Sequence, residues 1–190
     1  MLYEAQLLEI LQESKPLSEI LETLKQLDLS FEYYVGAGSI TNTIWNQISG
    51  YPLDYGISDM DIVYYDIYNM DAQSEVKLQH KIESNLGYFP FKLDVKNQAR
   101  VHLWYESKFG FPIKPYPSLE SAIDSWPTTA TALGVRLEQN NLYTIYAPYN
   151  LNDLFSMTVR PNKLLVTEEI YMSKATKWKE KWPLLEIIPW

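Results

Sequence analysis

Asp59-Met60-Asp61 opens a run, 59–67, that is rich in Ile, Val and Tyr and reads as a strand buried in the middle of a sheet. Alternate side chains of a strand share a face, so Asp59 and Asp61 stand together about 6.6 Å apart, with Met60 and Ile62 opposite. Two carboxylates beside apolar neighbours repel each other. Partly buried and unpaired, they cost several kcal/mol or hold a proton. A divalent cation resolves the conflict. Mg²⁺ takes oxygen ligands at about 2.0–2.1 Å and leaves positions for water or phosphate. Two such ions about 3.5–4 Å apart stabilise both the attacking and the leaving oxygen of a displacement at phosphorus.

Two further pieces bear on the same chemistry. In 91–96 (Phe-Lys-Leu-Asp-Val-Lys), Lys92, Asp94 and Lys96 share one face of a strand and Leu93 and Val95 the other. A helix over 73–86 is long enough to cross over, which makes this strand parallel to that of Asp59 and allows Asp94 to stand beside the pair. The alternative is a solvent-facing Lys92/Asp94/Lys96 row. Upstream, Gly36-Ala37-Gly38-Ser39 turns a strand (31–35) into a helix (40–48). A helix N-terminus offers free N–H groups to phosphate, and glycine lets the phosphate approach the backbone. This corner leaves its strand at the C-terminal end, whereas the Asp pair starts its own strand. The two meet only if those strands run antiparallel.

The elements that must position these groups follow from periodicity and punctuation. Residues 4–27 carry leucines and isoleucines at helical spacing, interrupted at Pro16, and predict two helices, the second capped by Ser14 or Ser18. Gly50 ends the third helix, and 50–58 is a loop. Beyond 91–96, the pattern predicts a helix over 98–109, a short helix capped by Ser118, a hairpin of 134–138 and 142–146 around Asn140-Asn141, and helices over 152–159 and 168–181. Glu168 and Glu169 fall in a first turn, where they favour the helix dipole. Trp178, Trp182 and Trp190 are expected to pack on the body of the protein. The alternation of strands and helices indicates a layered α/β unit, and 190 residues suit one domain, with N-terminal helices over 4–28 and a helical tail from about 150.

Composition narrows the chemistry. The chain has no cysteine, which removes disulfides, thiolate catalysis and Cys-based metal sites, and its two histidines, His80 and His102, are far apart. A net charge of −8 disfavours nucleic acid and anionic membrane as partners. No apolar run reaches the ~18 residues of a membrane span, and no leader is evident, so a cytoplasmic protein is expected. Aromatic residues make up 14%, which suits a stacking site for bases as well as a core. Lys96 and Arg100 are candidate phosphate contacts. Asn42 and Asn46 share a helix face near the corner. Asn97 fits either a ribose contact or a strand-end turn, and Thr128, Thr129 and Arg136 are candidates to line a nucleotide pocket.

The order of these pieces, a strand ending in Gly-Ser, a helix, a strand opening Asp-x-Asp and a later Asp on a neighbouring strand, resembles the nucleotidyltransferase superfamily related to DNA polymerase beta. More closely, Gly36–Asn46, Ser58–Asp66, Val95–His102 and Trp126-Pro127-Thr128-Thr129 resemble segments of a bacterial family of nucleotidyltransferase-like proteins, over about 30–165. The resemblance implies an α+β (mixed α/β) fold with a central mixed sheet flanked by helices. It also implies transfer of a nucleoside monophosphate from an NTP to a small-molecule or protein acceptor, with release of pyrophosphate. It makes Asp59, Asp61 and Asp94 the catalytic ligands of Mg²⁺ or Mn²⁺, with Asp94 beside the acceptor. Gly38, Ser39, Asn42, Lys96 and Arg100 become nucleotide-binding residues, Ser39 Oγ among the phosphate donors. Two departures stand out. Nineteen residues separate Ser39 from Asp59, a surplus the 50–58 loop absorbs. Thr41 stands where many relatives carry a base; if that base contacts phosphate, either nucleotide affinity is weaker here or another cation substitutes. The alternative to chemistry is a nucleotide-binding or interaction protein on the same fold.

Overall fold

The computed structural model describes residues 2–190. Two helices, α1 (Leu2–Glu13) and α2 (Lys15–Gln26), open the chain and break at Ser14, whose backbone is extended, with Pro16 in the first turn of α2. Then follow β1 (Glu32–Gly36), α3 (Ala37–Ser49), β2 (Asp59–Tyr65), α4 (Ala72–Glu83) and β3 (Lys92–Asn97). Gly50 closes α3 in the left-handed conformation at φ 71°, where a residue without Cβ is favoured.

The 98–109 segment departs from expectation. It is a 3-10 turn (Gln98–Leu103) followed by a separate short helix, α5 (Tyr105–Phe109). The Asn97 side chain caps the turn by accepting from the Ala99 N–H. It also accepts from the Asp66 N–H and donates to the Asp66 and Asn69 carbonyls, which makes Asn97 a strand-end bracket. Next come α6 (Leu119–Asp124), capped by Ser118, and the hairpin of β4 (Gly134–Leu137) and β5 (Tyr143–Tyr146), with Asn141 at φ 64° in its turn. The predicted 152–159 helix is shorter, α7 (Asn152–Phe155). Its remainder is a short strand, β6 (Thr158–Val159), which pairs in parallel with β7 (Glu186–Ile187) across α8 (Glu168–Lys181).

The main sheet has the order β3-β2-β1-β4-β5 and is mixed. β1 runs antiparallel to β2 and to β4, and β4 antiparallel to β5. β2 and β3 run parallel, joined by the α4 crossover. One face, carrying Val35, Ile62, Leu93, Val95 and Val135, is sealed by Leu17, Ile20, Leu21 and Leu24 of α2, Ile40 and Ile44 of α3, and Leu78 and Ile82 of α4. The other face carries Tyr34 and Val63 under Leu119 and Ile123 of α6, a far smaller cluster. That half-covered face also bears the aspartates. No helix among the described residues is long and apolar enough to cross a membrane.

Candidate active site

Sheet register brings the acidic residues together. Gly36 lies opposite Asp61 across the antiparallel β1–β2 pair, and Asp61 lies beside Asp94 across the parallel β2–β3 pair. Partners in a ladder share a face, and Asp59 is two residues from Asp61, so all three carboxylates stand on one side next to the glycine corner. The corner is tight. A Cβ on Gly36 would come within 2.7 Å of the Leu133 carbonyl oxygen and 2.9 Å of the Trp126 ring, so only glycine fits there. Ala37 follows at φ 51°, an uncommon conformation for a residue with a Cβ, held by its N–H on the Leu133 carbonyl.

From this corner the Gly38 N–H, in the first turn of α3, donates to the Asp61 carboxylate. The Asp61 pKa is nevertheless pushed up to about 7, first by burial and then by repulsion from Asp59 and Asp94, with Lys174 and the Gly38 N–H opposing. The other two acids have partners of their own. Asp59 accepts from Ser58 Oγ at 2.5 Å, and Asp94 pairs with Lys96 at 2.7 Å. Among the described residues, no three such side chains are closed around a common point.

Two cavities meet at Asp61, and Asp94 lines neither. The first is a cleft of about 310 Å³ lined by Gly38, Asn42, Asp59, Asp61, Lys174 and Lys181. The second, of about 260 Å³, is largely aromatic and aliphatic and shares Ala37, Asp61, Trp126, Pro127 and Lys174 with the first. Asn42 Oδ1 is buried and has no partner among the described residues.

Lysines from α8 form the opposite wall. Lys174 lies close enough to Asp61 to oppose the rise of its pKa. Although the Lys174 side chain still reaches solvent, desolvation draws its ammonium below the ordinary range; Asp61 opposes this and Lys108 adds to it. Lys177 and Lys181 continue the stripe beside Trp178. The helix is held by its tryptophans. Trp178 and Trp182 meet the Trp45 ring edge-on at 5.7 and 5.5 Å, and Trp182 Nε1 donates to Asn46 Oδ1 at 2.7 Å. Asn46 also donates to the Leu53 and Tyr55 carbonyls, so it tethers the 50–58 loop and α8 to α3.

Several residues named from sequence sit elsewhere or act differently. Ser39 is buried, and its Oγ donates to the Gly36 carbonyl at 3.1 Å, bracing the corner rather than facing the cleft. Arg100 points to the opposite face of the sheet, where it pairs with Glu75 of α4 at 2.7 Å and donates to the Met70 carbonyl. The break of the predicted helix into a 3-10 turn sets that direction. Thr128 bonds with Thr131, Thr129 donates to Asp153, and Arg136 pairs with Glu138, so none of these lines the cleft. His102 Nδ1 has no partner among the described residues. Thr41 donates to the Ala130 carbonyl, and the cation near the corner is Lys174. Lys174 went unread in the sequence, although Lys174, Lys177, Trp178 and Lys181 form a basic helical stripe in an acidic chain.

This arrangement has relatives. No curated protein matches the sequence. A solved structure described as an NMR structure revealing a CCA-adding enzyme head domain is 27% identical, with a TM-score of 0.76, over 98% of this chain and 96% of that one. A tRNA-processing enzyme in an apo form is 12% identical, with a TM-score of 0.50, over 89% of this chain and 44% of its own length, a likeness of fold. The nucleotidyltransferase family matches residues 22–187, nearly the whole chain, and to that family this protein belongs.

Proposed function

We infer that the protein transfers a nucleoside monophosphate from an NTP to an acceptor hydroxyl, with release of pyrophosphate, and that a divalent metal assists. The observation that carries this reading is the register placing Asp61 between the glycine corner and Asp94. The donor set fits a hard cation: three carboxylates on one face, and the unpartnered Oδ1 of Asn42 in the same cleft. A Cβ on Gly38 would enter this space, with Asp61 Oδ2 at 3.8 Å and Asn42 Nδ2 at 3.9 Å. Asp59, Asp61 and Asp94 would hold Mg²⁺ or Mn²⁺, which supplies charge neutralisation at the phosphates and acidifies the acceptor hydroxyl.

The protein's own groups do the rest. The first-turn amides of α3 and the ammonium groups of Lys174 and Lys181 bind the polyphosphate and neutralise its charge. Asp94, at the β3 side of the site, orients the acceptor hydroxyl and accepts its proton. Ser39 holds the corner in shape. The likeness to a CCA-adding enzyme head domain makes the acceptor of such an enzyme one to assay, while the net charge of −8 favours a small molecule or a protein.

The test is label transfer and pyrophosphate release from α-labelled NTPs with Mg²⁺ or Mn²⁺, across acceptors of these three kinds. Asp61→Asn should reduce the rate by about 10²–10³-fold, and full activity in that variant would sink the reading. A second reading, nucleotide binding without chemistry, draws on the engagement of Asp94 by Lys96. It predicts NTP binding with no pyrophosphate released on any acceptor.

A further inference from the structure

Beside the cleft, between α5 and α8, lies a groove of about 840 Å³. Lys174, Lys177 and Lys181 recur along α8 at spacings of three and four residues, which puts them on one helix face. Lys108, from the last turn of α5, lines the same groove, and among the described residues Glu169 is the one acid there. Lys108 and Lys177 both repel the Lys174 ammonium, so like charges from two elements converge on it. Among the described residues, none of Lys108, Lys174 and Lys177 is in an ion pair, whereas Lys25 closes on Glu22 and Lys96 on Asp94. Acids are not scarce, because the chain has 24 Asp and Glu against 16 Lys and Arg. These lysines rest on rings instead. The Lys108 ammonium lies 5.4 Å from the centres of Trp104 and Phe109, and that of Lys174 lies 5.9 Å from Trp178. Ring faces hold the charge and leave its N–H donors for a ligand.

We propose that this groove holds the acceptor, and that the acceptor is a small molecule carrying a phosphomonoester at a distance from its reacting hydroxyl. Lysine serves a phosphate as a point charge, whereas the planar carboxylates of an acidic peptide are matched by arginine, and no arginine lines the groove among the described residues. A nucleic-acid strand calls for cations spread along a line, but these converge on Lys174 and have Glu169 among them. The volume falls within the range of small-molecule sites. A cationic acceptor is repelled by the same charges. The groove shares Lys174, Trp178 and Lys181 with the carboxylate cleft, so its inner end opens on the reacting groups. Its outer end lies on the acceptor's side. α5 follows β3, the strand of Asp94, and Phe109 lines the second cavity together with Lys96, which is paired with Asp94. The inference rests on the transfer reading, since only then is the bound molecule an acceptor.

The experiment titrates the protein, with Mg²⁺ present, with phosphorylated ribose, glucose, glycerol and nucleoside, each beside its unphosphorylated counterpart, with a phosphorylated oligonucleotide, and with the four NTPs. It compares wild type with the double variant Lys108→Ala/Lys177→Ala and with Lys108→Arg/Lys177→Arg. At least one small phosphomonoester should bind about tenfold or more better than its free counterpart. The double alanine variant should lose that preference and the arginine variant keep it, while NTP affinity, which also certifies folding, stays unchanged in both. The proposal is overturned if no phosphorylated compound outbinds its counterpart, if the alanine variant keeps the preference, if NTP affinity falls in parallel, or if the oligonucleotide outbinds every small phosphomonoester. Label transfer to an unphosphorylated acceptor that survives in the alanine variant likewise overturns it and leaves the transfer reading intact. Phosphomonoester binding through these lysines with no label transferred to any acceptor would instead overturn the transfer reading and leave the groove's ligand class standing.

Discussion

The acidic wall of the cleft is set by strand register, and the basic wall hangs from a single helix. Asp61 and Asp94 are neighbours because β2 and β3 pair residue by residue, and a slip of one position would turn both to the other face. Lys174 and Lys181 reach the cleft on flexible stems from α8, which is held by three tryptophan rings and by side-chain hydrogen bonds such as that from Trp182 to Asn46. The comparison teaches where precision is needed. On the proposed reading, groups that would converge on a small cation are fixed by backbone pairing, whereas groups that would follow a polyphosphate are carried on long side chains.

Removing the anchor of the basic wall should have the largest effect. Trp182 is fully buried, and Trp182→Ala should cost about 3–5 kcal/mol. A drop in Tm of roughly 10 °C by calorimetry would agree, and an unchanged Tm would show that α8 is held by something else. The acidic wall should respond in the opposite sense. With its carboxyl pKa raised to about 7, folded Asp61 keeps a proton that the unfolded chain releases near the ordinary carboxylate value of about 4. The folded state therefore loses stability as pH rises from about 4 through 7. In metal-free buffer at pH 8, Asp61→Asn should be more stable than wild type by about 4 kcal/mol, and the difference should vanish near pH 4. Equal Tm values across that range would remove the strain assigned to this wall.

The smaller effects sharpen the contrast. Lys174→Ala should weaken NTP binding about tenfold with little change in Tm, measured by titration calorimetry. An unaltered affinity would move the polyphosphate away from α8. Lys96→Met removes a half-exposed ion pair with Asp94 and should cost under about 1 kcal/mol. A larger loss in thermal unfolding would mean that Lys96 supports the acidic wall rather than resting on it.

The legible parts of the molecule were those governed by local periodicity. Alternation in 59–67 put Asp59 and Asp61 on one face, a parallel crossover allowed Asp94 beside them, and an antiparallel β1–β2 pair was the condition for the glycine corner to meet them; the register has all three. What escaped was direction and long-range docking. Ser39 and Arg100 have the right chemistry for phosphate, but the tight corner commits one hydroxyl to the Gly36 carbonyl, and the 3-10 turn sends one guanidinium to Glu75. The same turn puts Gln98 at the lining of the apolar pocket. Lys174 was invisible because its placement depends on Trp182 meeting Asn46, which lies 136 residues earlier in the chain.

The two-strand ribbon of β6 and β7 has a practical bearing. Residues beyond α8 double back so that Ile187 pairs with Val159, the Tyr171 hydroxyl ties together the Val159 and Ile188 carbonyls, and Lys179 reaches the Leu185 carbonyl. Both ends of the lysine-bearing helix are thereby clamped by a segment whose residues do not line the cleft. Trimming after Trp182, or fusing a bulky tag close to Ile188, would slacken that clamp and shift the lysines at a distance, so affinity handles belong at the opposite terminus.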